Sequence, residues 1–346
     1  MRGLRGSPQN RYARRVRRTR RLIGSAAALA AIGAVIACGS TYGGTDGDSP
    51  LPDRNGTDAS DGQSQAPNDG APGLDGAKIP DAIVPPCDLA KPFGTPVPVT
   101  ELNTKDIDIA SSVSADELTI YVGTNHGVSA GFQQFYATRA TKTSTWGALQ
   151  ASFPAGAWDN WGVGVTADGL TAVLSSDRNG SNSELYVATR VSTLAAFGAL
   201  GLIAGATNSS ANEESPHWSA DGKTLYFDST RGPSRDLYRV PLVGTAFGTP
   251  QLITELQSSA LDAAPAISAD ELTIYFLSMR APTTDGDIYV ATRANKSSPF
   301  GNIQVVPNVN SKQLDAPAHI SADGCTLYMN SDRSGNSDLY VARRPN

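Results

Sequence analysis

The fold of this chain is decided by its last repeat, Asp315-Ala-Pro-Ala-His-Ile-Ser-Ala-Asp-Gly-Cys-Thr-Leu-Tyr-Met-Asn-Ser-Asp-Arg-Ser-Gly-Asn-Ser-Asp-Leu-Tyr340. Its Ser-Ala-Asp triplet, in which Thr once replaces Ser, occurs five times at intervals of 52, 53, 49 and 53 residues. The anchor aspartates are Asp116, Asp168, Asp221, Asp270 and Asp323. A period this constant indicates a repeat architecture in which each copy is one supersecondary unit.

Each copy has the pattern of a β-hairpin followed by one more strand. After the anchor comes an alternating run rich in β-branched and aromatic residues, such as Leu272–Phe276, and beyond a polar turn comes a second run, such as Asp287–Arg293. An aromatic-Gly pair then opens a further apolar segment, and these pairs are Phe93-Gly94, Trp146-Gly147, Phe197-Gly198, Phe247-Gly248 and Phe300-Gly301. Because the first pair precedes every anchor and the last copy ends without one, the N-terminal segment is predicted to complete the last sheet.

A short strand before each anchor brings the count to four strands per copy. A ring of such sheets, closed by an N-terminal strand in the final sheet, is a β-propeller. We therefore predict an all-β propeller of five blades, each with four antiparallel strands. A six-bladed ring containing one unrecognised blade is the alternative.

The repeats resemble those of the TolB-like propellers, which are built from PD40 (WD40-like) repeats. The family pattern of Pro, Ser-x-Asp-Gly, Leu-Tyr-Phe, Ser-x-Arg-x-Gly and Asp-Leu-Tyr is matched best by Glu213–Tyr238 and Asp315–Tyr340, and the resemblance covers roughly residues 90–344. The first copy departs from it, with Gly123-Thr-Asn-His126 where the other copies carry an arginine. The resemblance implies the fold and leaves the ligand open.

The first 37 residues are predicted to be a lipoprotein signal peptide. They contain nine arginines and no acidic residue, and they end in the apolar run Ile23–Ala37. Val35-Ile-Ala-Cys38 resembles a bacterial lipobox, which implies lipidation of Cys38 and attachment to a membrane through lipid. Gly39, where Asp would favour inner-membrane retention in such lipoproteins, favours the outer membrane. The export route, general secretory or twin-arginine, stays open.

Residues 38–86 are predicted to form a disordered tether, and residues 87–346 the propeller. The tether is rich in Gly, Asp, Ser and Pro, with too little apolar material to offset the entropy of ordering it. The chain after the signal contains all 33 acidic residues and 19 of the 28 basic ones, a net charge of about −14. Such a chain is not expected to bind nucleic acid.

Two cysteines are predicted to form a disulfide. With Cys38 assigned to the lipid, Cys87 and Cys325 remain as an even pair in an oxidising compartment. One lies shortly before the displaced outer strand and the other begins the second strand of the last blade, so both lie at the same end of one sheet. A bond there would hold the ring closed; two unpaired thiols are the alternative.

The leading candidate site is a ring of acidic residues eight positions before the anchors. Its members are Asp108, Asn160, Glu213, Asp262 and Asp315. If the first strand of each blade lines the channel, these side chains gather at one rim, where they could hold Ca²⁺ or a cationic group of a partner. The structural alternative is that each carboxylate caps backbone N–H groups at the start of its strand or bonds to the neighbouring blade. No other cofactor is expected.

Two histidines, His217 and His319, occupy equivalent positions four before their anchors and could face the channel. Two ligands are fewer than the three protein ligands of a catalytic zinc site, so no metal is predicted there. The recurring arginines are Arg178, Arg231, Arg280 and Arg333, and each is predicted to pair within its blade with the acid that opens the third strand.

The sequence favours a monomeric, lipid-anchored, non-catalytic binding scaffold of the cell envelope, whose partner is an envelope protein or a polysaccharide. A glycan-active hydrolase that uses two rim carboxylates is the alternative. Against it, catalytic carboxylates need unlike environments, whereas these acids follow the repeat. Trp158 and Trp161 are the candidate sugar-stacking groups.

Overall fold

Five antiparallel sheets make up the computed structural model over its described residues, 87–127, 131–154, 156–180, 182–282 and 285–346. β1 (Val97–Pro98) belongs to the last sheet. Blade one contains β2 (Asp108–Val113), β3 (Thr119–Thr124), β4 (Gln133–Thr138) and β5 (Gln150–Ala151). Blade two contains β6 (Asn160–Val165), β7 (Thr171–Ser176), β8 (Glu184–Thr189) and β9 (Gly201–Leu202).

The other three blades repeat this order. Blade three contains β10 (Glu213–Trp218), β11 (Thr224–Ser229) and β12 (Asp236–Val243), and β12 pairs with both β13 (Ala246–Phe247) and β14 (Gln251–Leu252). After a 3₁₀ helix (Thr254–Leu256), blade four contains β15 (Asp262–Ile267), β16 (Thr273–Ser278), β17 (Asp287–Thr292) and β18 (Gly301–Val305). Blade five contains β19 (Asp315–Ile320), β20 (Thr326–Ser331), β21 (Asp338–Arg343) and β1. The five-bladed prediction is confirmed.

Ring closure follows the predicted route. β1 pairs antiparallel with β21, placing Val97 opposite Val341. Cys87 and Cys325 form a disulfide with Cα atoms 5.7 Å apart, across a sequence separation of 238 residues. The predicted bridge is therefore confirmed, while the predicted signal, lipid site and tether lie outside the described residues. No helix in the described part of the chain is long and apolar enough to span a bilayer.

The Ser-Ala-Asp triplet shapes the hairpin that joins the first two strands of each blade. In blade three, Ser219 Oγ donates a hydrogen bond to Asp221 Oδ1 at 2.7 Å. Asp221 Oδ1 also accepts from the backbone N–H of Lys223, and Ser219 Oγ accepts from the backbone N–H of Thr224. Equivalent bonds form in all five blades. The hydrogen bond from Ser219 lowers the pKa of Asp221. The triplet recurs because the turn needs all of these acceptors.

The aromatic-Gly pair has a structural role that the sequence pattern did not disclose. In blade one, the Arg139 guanidinium lies 4.1 Å from the ring centre of Trp146 and donates to the Tyr328 hydroxyl of blade five at 3.0 Å. A Cβ on Gly147 would lie 3.2 Å from the Thr138 carbonyl oxygen, so glycine permits this close approach. The same stacking joins Arg190 to Phe197, Arg293 to Phe300 and Arg344 to Phe93. Each stack lies within one blade, and the hydrogen bonds from Arg139 to Tyr328, from Arg190 to Tyr121 and from Arg344 to Tyr275 connect neighbouring blades.

Apolar clusters fill the spaces between blades. Val113, Trp218, Ile267 and Ile320, predicted as inter-blade core, are each 5% exposed or less, and Val165 packs partly buried beside them. Each cluster draws on two neighbouring blades; one joins Leu237 of blade three to Phe276 of blade four. The ring is held by this packing.

Candidate functional site

The predicted acidic ring is buried. All five of its members are 1% exposed or less, and none lines a described cavity. Asp262 is representative: its Oδ1 accepts from Arg280 Nη2 at 2.7 Å and from Ser278 Oγ at 2.6 Å, and its Oδ2 accepts from Ser258 Oγ at 2.7 Å. Asp262 thus bonds to side chains only, while Asp108, Glu213 and Asp315 also accept a backbone N–H from the residue four positions earlier, as the capping alternative expects.

The recurring arginines form internal ion pairs, but with a different partner from the predicted one. Arg231 Nη2 lies 3.0 Å from Glu213 Oε1 and also donates to the Thr207 carbonyl at 2.6 Å, and Arg178 donates in the same way to the Asn160 side chain. Arg280 pairs with Asp262, and Arg333 pairs with Asp315. The correction has a topological reason: the first two strands of a blade are neighbours, so the hairpin arginine folds over the start of the first strand.

Blade one is the exception in this ring. Its residue at the arginine position is His126, whose Nδ1 lies 2.7 Å from Asp106 Oδ2. Asp108 accepts from the N–H and hydroxyl of Thr104 through Oδ2, while its Oδ1 has no hydrogen-bond partner among the described residues. The irregular first copy therefore leaves one buried carboxylate without the arginine that its equivalents have.

The main cavity, of about 520 Å³, opens at the end of the channel where the arginine hairpins lie. The first strand of every blade has a β-bulge at the level of the cavity. The unpaired bulge residues all line it, and they are Ser111, Trp161, Ser215, Pro216, Ala264, Pro265 and Ala318. Ser215 and Ala264 adopt positive φ, of 53° and 50°. Bulges commonly re-aim side chains at functional sites, and here they direct side chains into the channel.

Only Trp161 of these bulge residues was predicted from the sequence to contact a ligand; the others were missed because the candidate positions were those that carry the same chemistry in every blade. The bulge positions instead differ from blade to blade, from serine to tryptophan to proline. A usable signal was present: a site that serves one ligand must break the repeat symmetry. The best local clue was Trp161.

The tryptophans divide between the cavity and the core. Trp161 lines the cavity and stacks with Phe132 at a centroid distance of 5.3 Å. Trp158 is 36% exposed, with the Arg178 guanidinium 5.3 Å from its ring centre. Trp146 and Trp218 are buried in the core. The structure thus offers one aromatic wall to a ligand inside the channel.

Carboxylates and a lysine mark the mouth of the cavity. Asp285 and Lys312 are exposed there, and Asp332 lines the same opening beside Leu314. The deeper wall is apolar, formed by residues such as Ile109 and Met279. The arrangement suits a ligand with a polar outer part and an apolar or ring-shaped inner part.

The two predicted channel histidines meet at the floor of the cavity. His217 and His319 have ring centroids 5.5 Å apart, and both line a smaller space of about 60 Å³ beneath the main cavity. Burial lowers the pKa of His217 to about 4, and burial together with the charge of His217 lowers the pKa of His319 to about 3. Both rings are therefore neutral at pH 7.

We expect the metal-free protein to lose stability on mild acidification because of this pair. In the unfolded chain both histidines take up protons below about pH 6.5, whereas the folded state resists protonation until much lower pH. Stability should fall by about 2 kcal/mol between pH 6.5 and 5.5. Urea denaturation in the presence of a chelator measures this, with the His217→Asn, His319→Asn double variant as comparison. An equally steep decline in that variant would contradict the assignment.

Comparisons with known proteins give no family and only distant structural likenesses. No family model and no curated protein match the chain. Among solved structures it is similar to TolB from Acinetobacter baumannii (15% identity over 70% of this chain and 57% of that one, TM-score 0.43). It is also similar to a putative TolB from Agrobacterium tumefaciens, with 15% identity over 70% of this chain and 78% of that one and a TM-score of 0.43. A putative glycoside hydrolase from Parabacteroides distasonis has 12% identity over 75% of this chain and 95% of that one, with a TM-score of 0.45. The propeller fold itself rests on the five described sheets.

Proposed function

We propose that this protein is a non-catalytic binding module of the bacterial envelope, anchored by lipid at Cys38, that takes part of an envelope protein or polysaccharide into its channel cavity. The observation that carries the proposal is that repeated residues and blade-specific residues occupy different places in the propeller. The charged residues that recur in the repeats form buried ion pairs with each other, while the residues that differ between blades line the 520 Å³ cavity. Blade-specific side chains around one pocket suit recognition of one ligand.

The position of Cys87 relative to the cavity supports binding of a partner at the cavity mouth. Cys87, where the described part of the propeller begins, is bonded to Cys325 beside the Ser-Ala-Asp turn of blade five. The cavity opens at the opposite end of the blade strands, near Asp332. Cys87 therefore lies at the end of the blades opposite the cavity mouth, which suits an N-terminal anchor and a partner that binds at the mouth.

A glycan-active hydrolase is the second candidate, and one observation favours it. Asp285 and Asp332 line the mouth of a cavity whose wall contains the exposed part of Trp161, an arrangement that combines carboxylates with a stacking surface. These carboxylates do not belong to the repeat pattern that argued against catalysis. Substitution of Asp285 and Asp332 therefore distinguishes the glycan-active hydrolase from the non-catalytic binding module.

The test compares variants inside the cavity and at its mouth with a control variant on the exposed surface. Wild type, Trp161→Ala, Lys312→Glu and the matched control Val191→Ser are titrated with purified envelope polysaccharides and with proteins identified by capture from native envelopes. Val191 is 93% exposed and follows Arg190, whose side chain bonds to the blade-two anchor turn, at the end of the blades opposite the cavity mouth. We expect cavity variants to weaken binding by at least about 10-fold, as hot-spot truncations do, and the control to leave it unchanged.

Two outcomes would overturn the proposal. Equal binding by the cavity variants and the wild type would place the contact elsewhere on the propeller. Release of reducing sugar from an envelope glycan by the wild type, lost in Asp285→Asn or Asp332→Asn, would establish the hydrolase in its place.

A further inference from the structure

His217 is held in the orientation of a metal ligand. Its Nδ1 lies 3.1 Å from the backbone carbonyl oxygen of Trp218, and because a carbonyl only accepts, this nitrogen carries the proton. The lone pair therefore resides on Nε2. This atom is buried and has no hydrogen-bond partner among the described residues. Metal-binding histidines commonly fix their tautomer in this way, by donating the other ring N–H to a carbonyl.

His319 approaches the same place from another blade. Its Nδ1 is also buried without a hydrogen-bond partner in the described part of the chain. A buried polar atom left unpaired costs about 1–3 kcal/mol, so two on touching rings require an explanation. Ser112, Gly164 and Ala266 occupy the equivalent positions in the other blades. Only these two blades therefore project imidazoles into the channel.

The spacing of the rings suits one shared ion. With metal–nitrogen bonds of about 2.0–2.1 Å, each ring centroid lies about 3.2 Å from the metal, and a tetrahedral angle separates two centroids by about 5.2 Å. The observed separation is 5.5 Å. Both rings line the smaller space of about 60 Å³, and His217 also lines the main cavity, so water can reach a shared ion.

We propose that His217 and His319 bind one divalent transition-metal ion of the zinc type at the floor of the channel. Imidazole nitrogen is a preferred donor for zinc, copper and nickel, whereas Ca²⁺ and Mg²⁺ require oxygen ligands. The described residues contain no group of three or more His, Cys, Asp and Glu side chains placed to hold a metal. Water entering through the main cavity completes the coordination, so the ion has open positions that face any occupant of the channel.

Zinc titration of the full-length protein, stripped with chelator, tests the site by calorimetry. The chain contains three histidines, so the control is His126→Gln, which removes the one histidine outside the channel. We expect wild type and His126→Gln to bind one Zn²⁺ per chain with the same affinity. His217→Asn and His319→Asn should each weaken binding by more than about 10-fold, and Ca²⁺ should not compete.

A second measurement avoids dependence on the folding of the variants. Co²⁺ added to wild type should give visible absorption of a nitrogen-ligated, four- or five-coordinate ion, which Zn²⁺ then displaces. The proposal is wrong if wild type binds no Zn²⁺, or if binding is lost in His126→Gln and kept in the channel variants. Failure of this test leaves the proposed binding function unaffected, because the mouth variants address that function independently.

Discussion

Replacing Asp262 with asparagine is expected to lower the free energy of unfolding by about 3 kcal/mol, the low end of the cost of breaking a buried ion pair from one side. The carboxylate is fully buried and accepts hydrogen bonds from Arg280, Ser278 and Ser258. Asparagine keeps the shape of the side chain but removes the charge that faces Arg280. Arg280 also donates to the Leu256 carbonyl at 2.6 Å, so its displacement should disturb the loop that carries the 3₁₀ helix.

Asp108→Asn is the matched control, because Asp108 occupies the equivalent position without an arginine. Its Oδ1 has no hydrogen-bond partner among the described residues, and asparagine retains an acceptor for the Thr104 bonds. We expect a change below about 1 kcal/mol. Urea unfolding of both variants, with unchanged m-values, measures the difference. Equal destabilisation of the two variants would show that the arginine pairing does not decide the cost.

Reduction of the Cys87–Cys325 bond is expected to destabilise the propeller by about 3–5 kcal/mol. The bond closes a loop of 238 residues, and in the chain-entropy model the stabilisation grows with loop length. It also fixes the segment that leads into β1, the strand that completes blade five. The Cys87→Ser, Cys325→Ser double variant should show the same loss and no further response to reductant.

Thermal unfolding with and without reductant measures this effect. Cys38→Ser serves as the control and should behave as wild type in both conditions. The reduced protein should remain folded at 25 °C, because β1 still pairs with β21 and Phe93 stays buried against Tyr275. An identical melting temperature for oxidised and reduced protein would contradict the stapling role.

The candidate site was predictable only in part. The arginines and the acids at the starts of the first strands were both found as repeating sets, yet their partnership was missed, because pairing depends on which strand ends are neighbours in space. The histidines were singled out as channel-facing, but their contact was not foreseen: residues 217 and 319 belong to blades three and five, and no sequence interval relates their ring orientations.

The sequence by itself determined the five blades, their strand order, the closing strand and the disulfide. The blades and their strand order follow from local alternation, turn chemistry and a constant period. The closing strand follows from the aromatic-Gly pair that precedes the first anchor, and the disulfide from the two remaining cysteines. Only the tertiary structure decided the cavity, the arginine partners and the histidine pair. The physical reason is that bulges in β2, β6, β10, β15 and β19 interrupt the strand alternation and turn side chains from five blades toward one axis.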